Sequence, residues 1–173
     1  MTKVLVRPAE LADARSVAEV HVASWLKAYR GLVPDSLLDR LTVEKREAFW
    51  RQALEQGSVE LWVAESVPEL VVGWVAFGAS RDTDAPPLTG EIEAIYIHPD
   101  HFRRGIGREL WDVARRRLVE RGFERATLWV FEENHPALHF YRTLGLSPDD
   151  GASKVIERDG KKLVEVRYEA ALR

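Results

Sequence analysis

The first third of the chain changes from a strand-like to a helix-like spacing of apolar residues. Residues Val4 to Arg7 form a short apolar run that predicts a strand ended by Pro8. From about Glu10 the spacing predicts one amphipathic helix that ends at Gly31. The apolar face of that helix comprises Leu11, Ala14, Val17, His21, Trp25 and Ala28.

Two further helices follow. The Pro34-Asp35 pair opens a short helix, and Thr42 is placed as the N-cap of a helix over Val43 to Gln56. Gly57 ends this helix, because glycine readily adopts the conformation that a helix C-terminus needs.

The middle of the chain has strand character. The Val- and Trp-rich segments Val59 to Glu65 and Val71 to Ala79 predict neighbouring antiparallel strands, broken by Pro68. Residues 80 to 90 consist of turn-forming types and predict a surface loop. The alternation from Glu91 to Ile97 then predicts another strand.

The last third alternates helices and strands. The pattern predicts a helix over residues 105 to 121, a strand over Thr127 to Phe131 and a short helix over Pro136 to Leu144. The Asp159-Gly160 pair, between apolar runs at residues 154 to 158 and 161 to 170, predicts a β-hairpin. This order of elements indicates a single α/β or α+β domain over residues 1–173.

Composition narrows the function. With 173 residues and 46% hydrophobic side chains, the chain can bury the core of one domain. It has no cysteine, which excludes disulfides, thiolate zinc sites and a cysteine nucleophile. A net charge of -3 argues against coating nucleic acid or an anionic membrane. No apolar run approaches the roughly 20 residues of a membrane span, and no long apolar signal region opens the sequence, so we expect a cytoplasmic protein.

One segment predicts an anion site. The run Arg103-Arg104-Gly105-Ile106-Gly107-Arg108 lies between a strand and a helix start, where free N–H groups and the helix dipole favour negative charge. Its glycines allow close approach to the backbone and its arginines add charge, which predicts a phosphate or pyrophosphate cradle. The alternative is a tight turn with solvated arginines. A dinucleotide-binding fingerprint is disfavoured because Leu110 replaces its third glycine.

Two segments resemble the GNAT family, the GCN5-related N-acetyltransferases. Residues Glu91 to Leu110, from Glu-Ile-Glu-Ala-Ile-Tyr-Ile to the cradle, resemble motif A. Residues Leu128 to Leu146 resemble motif B, with its Asn-x-x-Ala-x-x-Phe-Tyr-x-x-Leu-Gly pattern. The stretch His21 to Asp35 is similar to openings common in bacterial members. The sequence departs from the family at Phe102, where the cradle pattern usually begins with Gln or Arg.

The resemblance implies a fold and a co-substrate. The fold would be a mixed, mostly antiparallel sheet of about six to seven strands flanked by helices, splayed between two parallel central strands at residues 91–98 and 127–131. Acetyl-CoA would bind in that opening. The residues implied as its contacts are Ile95, Tyr96 and Ile97 by backbone pairing with the pantetheine arm, Arg103, Arg104, Gly105, Ile106, Gly107 and Arg108 around the pyrophosphate, and Asn134. Capping of a helix is the alternative role for Asn134.

Acetyl transfer to an amine needs a proton acceptor and a proton for the departing thiolate. Glu91 and Glu93 are two apart on a strand and share a face; the family often places a base at the position of Glu91, with Glu93 as second candidate. The alternative is that at least one of the two is only an exposed strand residue. Tyr141 occupies the family's general-acid position, against the alternative of a core aromatic. Trp25 and Tyr29 share a helical face and are the candidate acceptor-binding residues.

These observations favour an acetyl-CoA-dependent N-acetyltransferase that moves the acetyl group directly to a primary amine of a small molecule or peptide. The alternative is a non-catalytic acyl-CoA sensor or interaction module with the same cradle. No metal is expected, because the pairs His98/His101 and His135/His139 lack a metal signature with a carboxylate. No nucleic-acid or membrane partner is expected, and a homodimer would be compatible with the family.

Overall fold

The computed structural model describes residues 4–67 and 70–173. In chain order its elements are β1 (Leu5–Pro8), α1 (Ala14–Tyr29), α2 (Asp35–Asp39), α3 (Val43–Gln56), β2 (Glu60–Val67), β3 (Leu70–Ala79), β4 (Thr89–Ile97), α4 (Ile106–Glu120), β5 (Arg125–Phe131), α5 (His135–Thr143), β6 (Ser147–Arg158) and β7 (Lys161–Ala171). Each of these elements lies within two residues of its predicted position, except for the start of α1, four residues late, and of β6, which extends back to Ser147. The predicted break at Pro68 lies outside the described residues.

Local side-chain chemistry sets the ends of the first helices. A 3₁₀ turn over Leu11–Asp13 precedes α1, because the Asp13 carboxylate accepts the Glu10 N–H at 2.7 Å and two bonds from Arg7. Thr42 caps α3 as predicted, accepting the N–H of Lys45, and Gly57 ends it at a φ of 59°.

The seven strands form one sheet in the order β1-β2-β3-β4-β5-β7-β6. Every neighbouring pair is antiparallel except β4 and β5, which are parallel. Thr89 and Gly90, expected at the end of a loop, are the first residues of β4 because they pair with Arg125 and Ala126.

Helices cover both faces of the sheet. On one face α4 and α5 pack against a core whose members include Val75, Phe77, Ile92, Ile106, Leu110, Leu118, Leu128 and Leu138. On the other face, α1 and α3 contribute Val17 and Trp50 to a second core, whose sheet residues include Leu61, Val63, Trp74 and Ala76. The result is the single-domain α/β arrangement expected from the sequence, with a parallel strand pair at its centre. Within the described residues, no helix combines the length and apolar character that crossing a bilayer requires.

Candidate active site

A slot passes through the sheet between β4 and β5. The two strands pair only over Thr89/Arg125, Gly90/Ala126 and Glu91/Thr127, and beyond Glu91 they diverge. β5 continues to pair with β7 on its other side up to Phe131, so the divergence leaves one edge of each strand open. The opening is a cavity of about 290 Å³ that is lined by residues of α1, which packs on one face of the sheet, and of α5, which packs on the other.

The register of β4 determines which groups face this slot. A shift opposite Ala76 and Phe77 leaves Glu93 without a partner on β3, which is the signature of a β-bulge. Beyond the bulge the His98 N–H donates to the Val72 carbonyl at 2.8 Å. Alternation along an antiparallel pair then directs the backbone of Tyr96 to β3 and that of Ile95 and Ile97 to the slot.

The Ile97 carbonyl is engaged from α1. The Ser24 hydroxyl donates to it at 2.7 Å, and this serine is buried. The bond ties the middle of α1 to the end of β4, next to the open edge. The backbone groups of β4 left for an extended ligand are therefore those of Ile95 and the N–H of Ile97.

The predicted cradle lies between β4 and α4. Gly105 precedes α4 at a φ of 83°, and Arg103 also has a positive φ, of 60°. The first N–H groups of a helix lack partners within it, so those of Ile106 and Gly107 are available to an anion, whereas the Arg108 N–H donates to the Gly105 carbonyl at 3.0 Å. Arg108 donates to the Thr143 carbonyl at 2.8 Å. Arg103 and Arg104 form no ion pair with any of the residues described.

The helix α5 supplies polar groups to the same side of the slot. Asn134 caps it by accepting the Ala137 N–H at 3.3 Å, and the buried carboxamide also lines the cavity, so capping and a place in the site coexist. Tyr141, further along α5, also lines the cavity. Burial, with a smaller effect of Tyr96, raises the pKa of the Tyr141 phenol above its usual value.

Two carboxylates lie on the α1 side. Glu91 is buried, and the Arg81 side chain holds it with bonds of 2.7 and 3.1 Å, joined by the Arg81 N–H at 2.9 Å. Glu93 is half-buried and its carboxylate lies 3.6 Å from the same guanidinium. Burial raises the pKa of Glu93, while Arg81 lowers it and Glu91 raises it, and the net shift is upward. The expectation that Glu91 and Glu93 share a face agrees with their common partner.

Aromatic rings line the α1 end of the slot. Tyr29 packs edge-on against Trp25 at 4.8 Å and against Phe131 at 5.3 Å between ring centroids. The indole N–H of Trp25 is buried without a hydrogen-bond partner among the residues described. Trp25 and Tyr29 thus lie in the cavity that holds Glu93.

Sequence reasoning missed several residues of this cavity. Arg81 is in a segment that predicts only a surface loop, and Trp129 is in a segment that predicts only a strand. Lys154 lies 4.1 Å over the Trp129 ring and 3.3 Å from Glu165. Tertiary contacts bring these side chains to the slot: Arg81 comes from the loop after β3, and Lys154 is on β6, which reaches the site by pairing with β7. No local pattern marks them.

Comparison with known proteins agrees with this geometry. Residues 20–146 match the model of the Acetyltransferase (GNAT) family. YuaI, an uncharacterized N-acetyltransferase of Bacillus subtilis (strain 168), is 33% identical over 163 residues, which is 94% of this chain and 90% of the relative.

Solved structures share the fold. An N-acetyltransferase from Staphylococcus aureus Mu50 has a TM-score of 0.77 at 16% identity, with 99% of each chain covered. The PaiA N-acetyltransferase from Thermoplasma acidophilum, in complex with coenzyme A, has a TM-score of 0.73 at 17% identity, covering 98% of this chain and 99% of the other. The sheet with its central slot, the family model and the bacterial relative agree, and the chain belongs to the GNAT family of N-acetyltransferases.

Proposed function

We propose that this protein transfers the acetyl group of acetyl-CoA directly to a primary amine in a ternary complex. The observation that carries the proposal is the slot between β4 and β5, which brings an open strand edge, a carboxylate and a tyrosine into one cavity. Because residues from both sides of the sheet line the slot, the two substrates would approach it from opposite sides. Such an arrangement needs no covalent acetyl-enzyme, and the chain has no cysteine to form one.

The residues of the slot and cradle fit acetyl-CoA. The backbone of Ile95 and the N–H of Ile97 would pair with the amides of the pantetheine arm, as a further strand would. The free N–H groups between Arg103 and Arg108 would hold the pyrophosphate, with Arg103 and Arg104 adding charge. The backbone of Tyr96 faces β3, so Tyr96 would not pair with the arm itself, although it lies between the two residues that would. Bound there, acetyl-CoA supplies an activated acetyl thioester.

We assign the role of general base to Glu93. Its carboxylate lies in the cavity and keeps only a long contact to Arg81, whereas Glu91 is buried and accepts three bonds from that residue. A partly desolvated carboxylate with a raised pKa is better suited to accept the proton of an incoming ammonium. Glu91, which the sequence alone favours as the base, would then affect the site through its bonds with Arg81.

Tyr141 is assigned as general acid. It lines the α5 side of the cavity, opposite Glu93 across the slot. Its raised pKa keeps the phenol protonated at neutral pH, ready to give a proton to the thiolate that leaves. Glu93 and Tyr141 would thus handle the two proton transfers on opposite sides of the sheet.

The acceptor would enter from the α1 side. Trp25 and Tyr29, joined by Phe131 and Trp129, form an aromatic wall there. Aromatic faces attract organic cations, which suits a protonated amine on a small molecule or a peptide.

Calorimetric titration with acetyl-CoA and with CoA, followed by thiol release against a panel of primary amines, tests the proposal. We expect micromolar binding of both and amine-dependent thiol release. Binding without release on small amines and on peptides would favour an acyl-CoA sensor instead. Absence of binding would contradict the assignment of the slot and cradle.

A further inference from the structure

The loop between β3 and β4 places a cation against both carboxylates of the site. Arg81 donates from its side chain and its N–H to Glu91, and its guanidinium lies 3.6 Å from Glu93. This arginine belongs to no motif of the sequence. It is the cationic group nearest to the proposed base among the residues described.

The loop that carries Arg81 is itself fastened to the sheet. The indole N–H of Trp129 donates to the Asp82 carboxylate at 3.0 Å. The side chain of Arg167, on β7, is almost fully buried and binds Asp82 at 3.2 Å, Asp84 at 2.9 and 3.0 Å and Asp149 at 2.7 Å. The loop thus has anchors on two strands on the far side of the slot.

We propose that Arg81 is a positioning residue that sets the protonation state of Glu93, and that Arg167 holds Arg81 in place through the loop. This inference rests on the proposed function, in which Glu93 is the base. Its geometric basis is that one guanidinium bridges Glu91 and Glu93 from a loop that would otherwise be free to move away.

The charges around Glu93 give the direction of the effect. Arg81 comes from the loop and Glu91 from the same strand, while Lys154 of β6 and Glu165 of β7 line the cavity and pair with each other. Burial raises the pKa of Glu93 most; Arg81 lowers it, and Glu91 raises it by less than Arg81 lowers it. Without Arg81 the pKa of Glu93 therefore rises, even where Glu91 takes up a proton.

Breaking the Arg81–Glu91 pair from either side separates this role from a structural one. Arg81→Met removes the cation, so Glu93 should hold its proton to higher pH. Glu91→Gln removes the anion and leaves Arg81 charged, so Glu93 should lose its proton at lower pH. Arg81→Lys keeps the positive charge but loses the planar guanidinium, and should shift the titration less than Arg81→Met does. A purely structural pair would give no shifts of opposite sign.

The primary measurement is the titration of the Glu93 carboxyl carbon by NMR in the wild type and the three variants, with Glu93→Gln to assign the signal. The second is the pH dependence of kcat/KM for an active amine, whose basic rise should move with the titration. Circular dichroism and thermal melting check that each variant is folded. Because the Arg81 side chain is 64% exposed, we expect its variants to fold.

The outcomes separate this inference from the proposed function. Opposite shifts in the NMR titration support it, whatever the activity. Shifts absent or of equal sign would overturn it even if turnover persists. If the titration moves as expected but kcat/KM has no rise that follows it, the positioning effect stands and the assignment of Glu93 as base fails. Loss of the rise in Glu91→Gln alone would make Glu91 the base and overturn the assignment of Glu93 as base, while the NMR titration still decides the inference about Arg81.

The second half of the proposal is tested with Arg167→Met in the same titration. Freed from its anchor, the loop should hold Arg81 less firmly, so the Glu93 titration should shift in the same direction as in Arg81→Met, by less. An unchanged titration in a folded Arg167→Met protein would overturn the role given to Arg167. Asp84→Asn, which weakens the same anchor at a side chain 68% exposed, gives a second reading if Arg167→Met does not fold.

Discussion

The environment of Tyr141 allows its phenol to donate a proton but not to accept one. The phenol is buried in the slot and its pKa is raised, so it is protonated at any pH at which the protein works. It can donate a proton to a thiolate but cannot serve as a base. Tyr141→Phe should therefore lower kcat by about 10²- to 10⁴-fold, the usual range for a general acid, and leave the Kd of acetyl-CoA unchanged. Steady-state kinetics and calorimetry measure both.

Tyr29→Phe is the matched control, since it removes the hydroxyl of a second tyrosine that lines the same slot. Tyr29 contacts Trp25 and Phe131 through its ring, and the ring remains in the variant. We expect its effect to be mainly on the KM of the amine. Equal losses of kcat in the two variants would remove Tyr141 from the acid role.

Gly107 is required for packing at the start of α4. A Cβ at this position would lie 2.6 Å from Cζ of Phe140 and 3.3 Å from Cδ1 of Ile97. Gly107→Ala must push the first turn of α4 away from α5 and β4, at a cost of about 1–3 kcal/mol in stability. Because the cradle is that first turn, acetyl-CoA binding should weaken by about tenfold or more.

Gly90→Ala controls for the steric cost. A Cβ on Gly90, in β4, would lie 2.7 Å from Cδ2 of Leu118, which is near the other end of α4 from Gly107. The flexible end of a leucine can turn aside, so we expect some loss of stability and little change in the Kd of acetyl-CoA. Loss of binding in both variants would show that the effect of Gly107→Ala is not local to the cradle.

Among the elements, the loop of residues 80–88 is held in part by the buried cation of Arg167. Arg167 is surrounded by Asp82, Asp84 and Asp149, so its removal leaves three carboxylates facing one another. Arg167→Met should lower the free energy of unfolding by roughly 2–3 kcal/mol, less than the ~3–5 of a fully buried pair because Asp84 stays in water. Urea unfolding measures this loss, and amide exchange should quicken across the loop. Unchanged exchange there would mean that other contacts hold the loop.

Elements with local determinants could be predicted from the sequence. The helix α3 has the predicted bounds because Thr42 caps its first turn and Gly57 ends its last turn. The Asp159-Gly160 hairpin follows from two residues with positive φ. The bulge at Glu93 could not be predicted, because it depends on how β4 registers against β3.

The same distinction holds for the site. Tyr141 and Asn134 lie in one contiguous motif, and both line the slot. The preference for Glu93 over Glu91 required knowledge of Arg81, ten residues before Glu91 in a loop that is held by Arg167, far away in the chain. A partner that arrives through tertiary contacts leaves no periodic or spaced signal in the sequence.

At the scale of the whole molecule, one buried histidine links stability to pH. His21 on α1 accepts the Trp50 indole N–H at 3.2 Å and packs among the rings of Trp25, Trp74 and Tyr96. Burial, with a smaller effect of Arg46, lowers the pKa of His21 to about 3. The unfolded chain binds a proton there below a pH of about 6.5, and the folded chain does not. Stability is therefore full above that pH and is lost as the pH falls from 6.5 towards 3.

The expected loss is about 1.4 kcal/mol per pH unit below 6.5, or roughly 2 kcal/mol between pH 7.5 and pH 5. Urea unfolding at the two pH values measures it. His21→Gln keeps an acceptor for the Trp50 N–H but does not titrate, so its stability should change by correspondingly less over the interval. His101, whose pKa is lowered, and Glu93, whose raised pKa acts with the opposite sign, are present in both proteins and cancel in the difference. An equal loss in the two proteins would assign the acid sensitivity to groups other than His21.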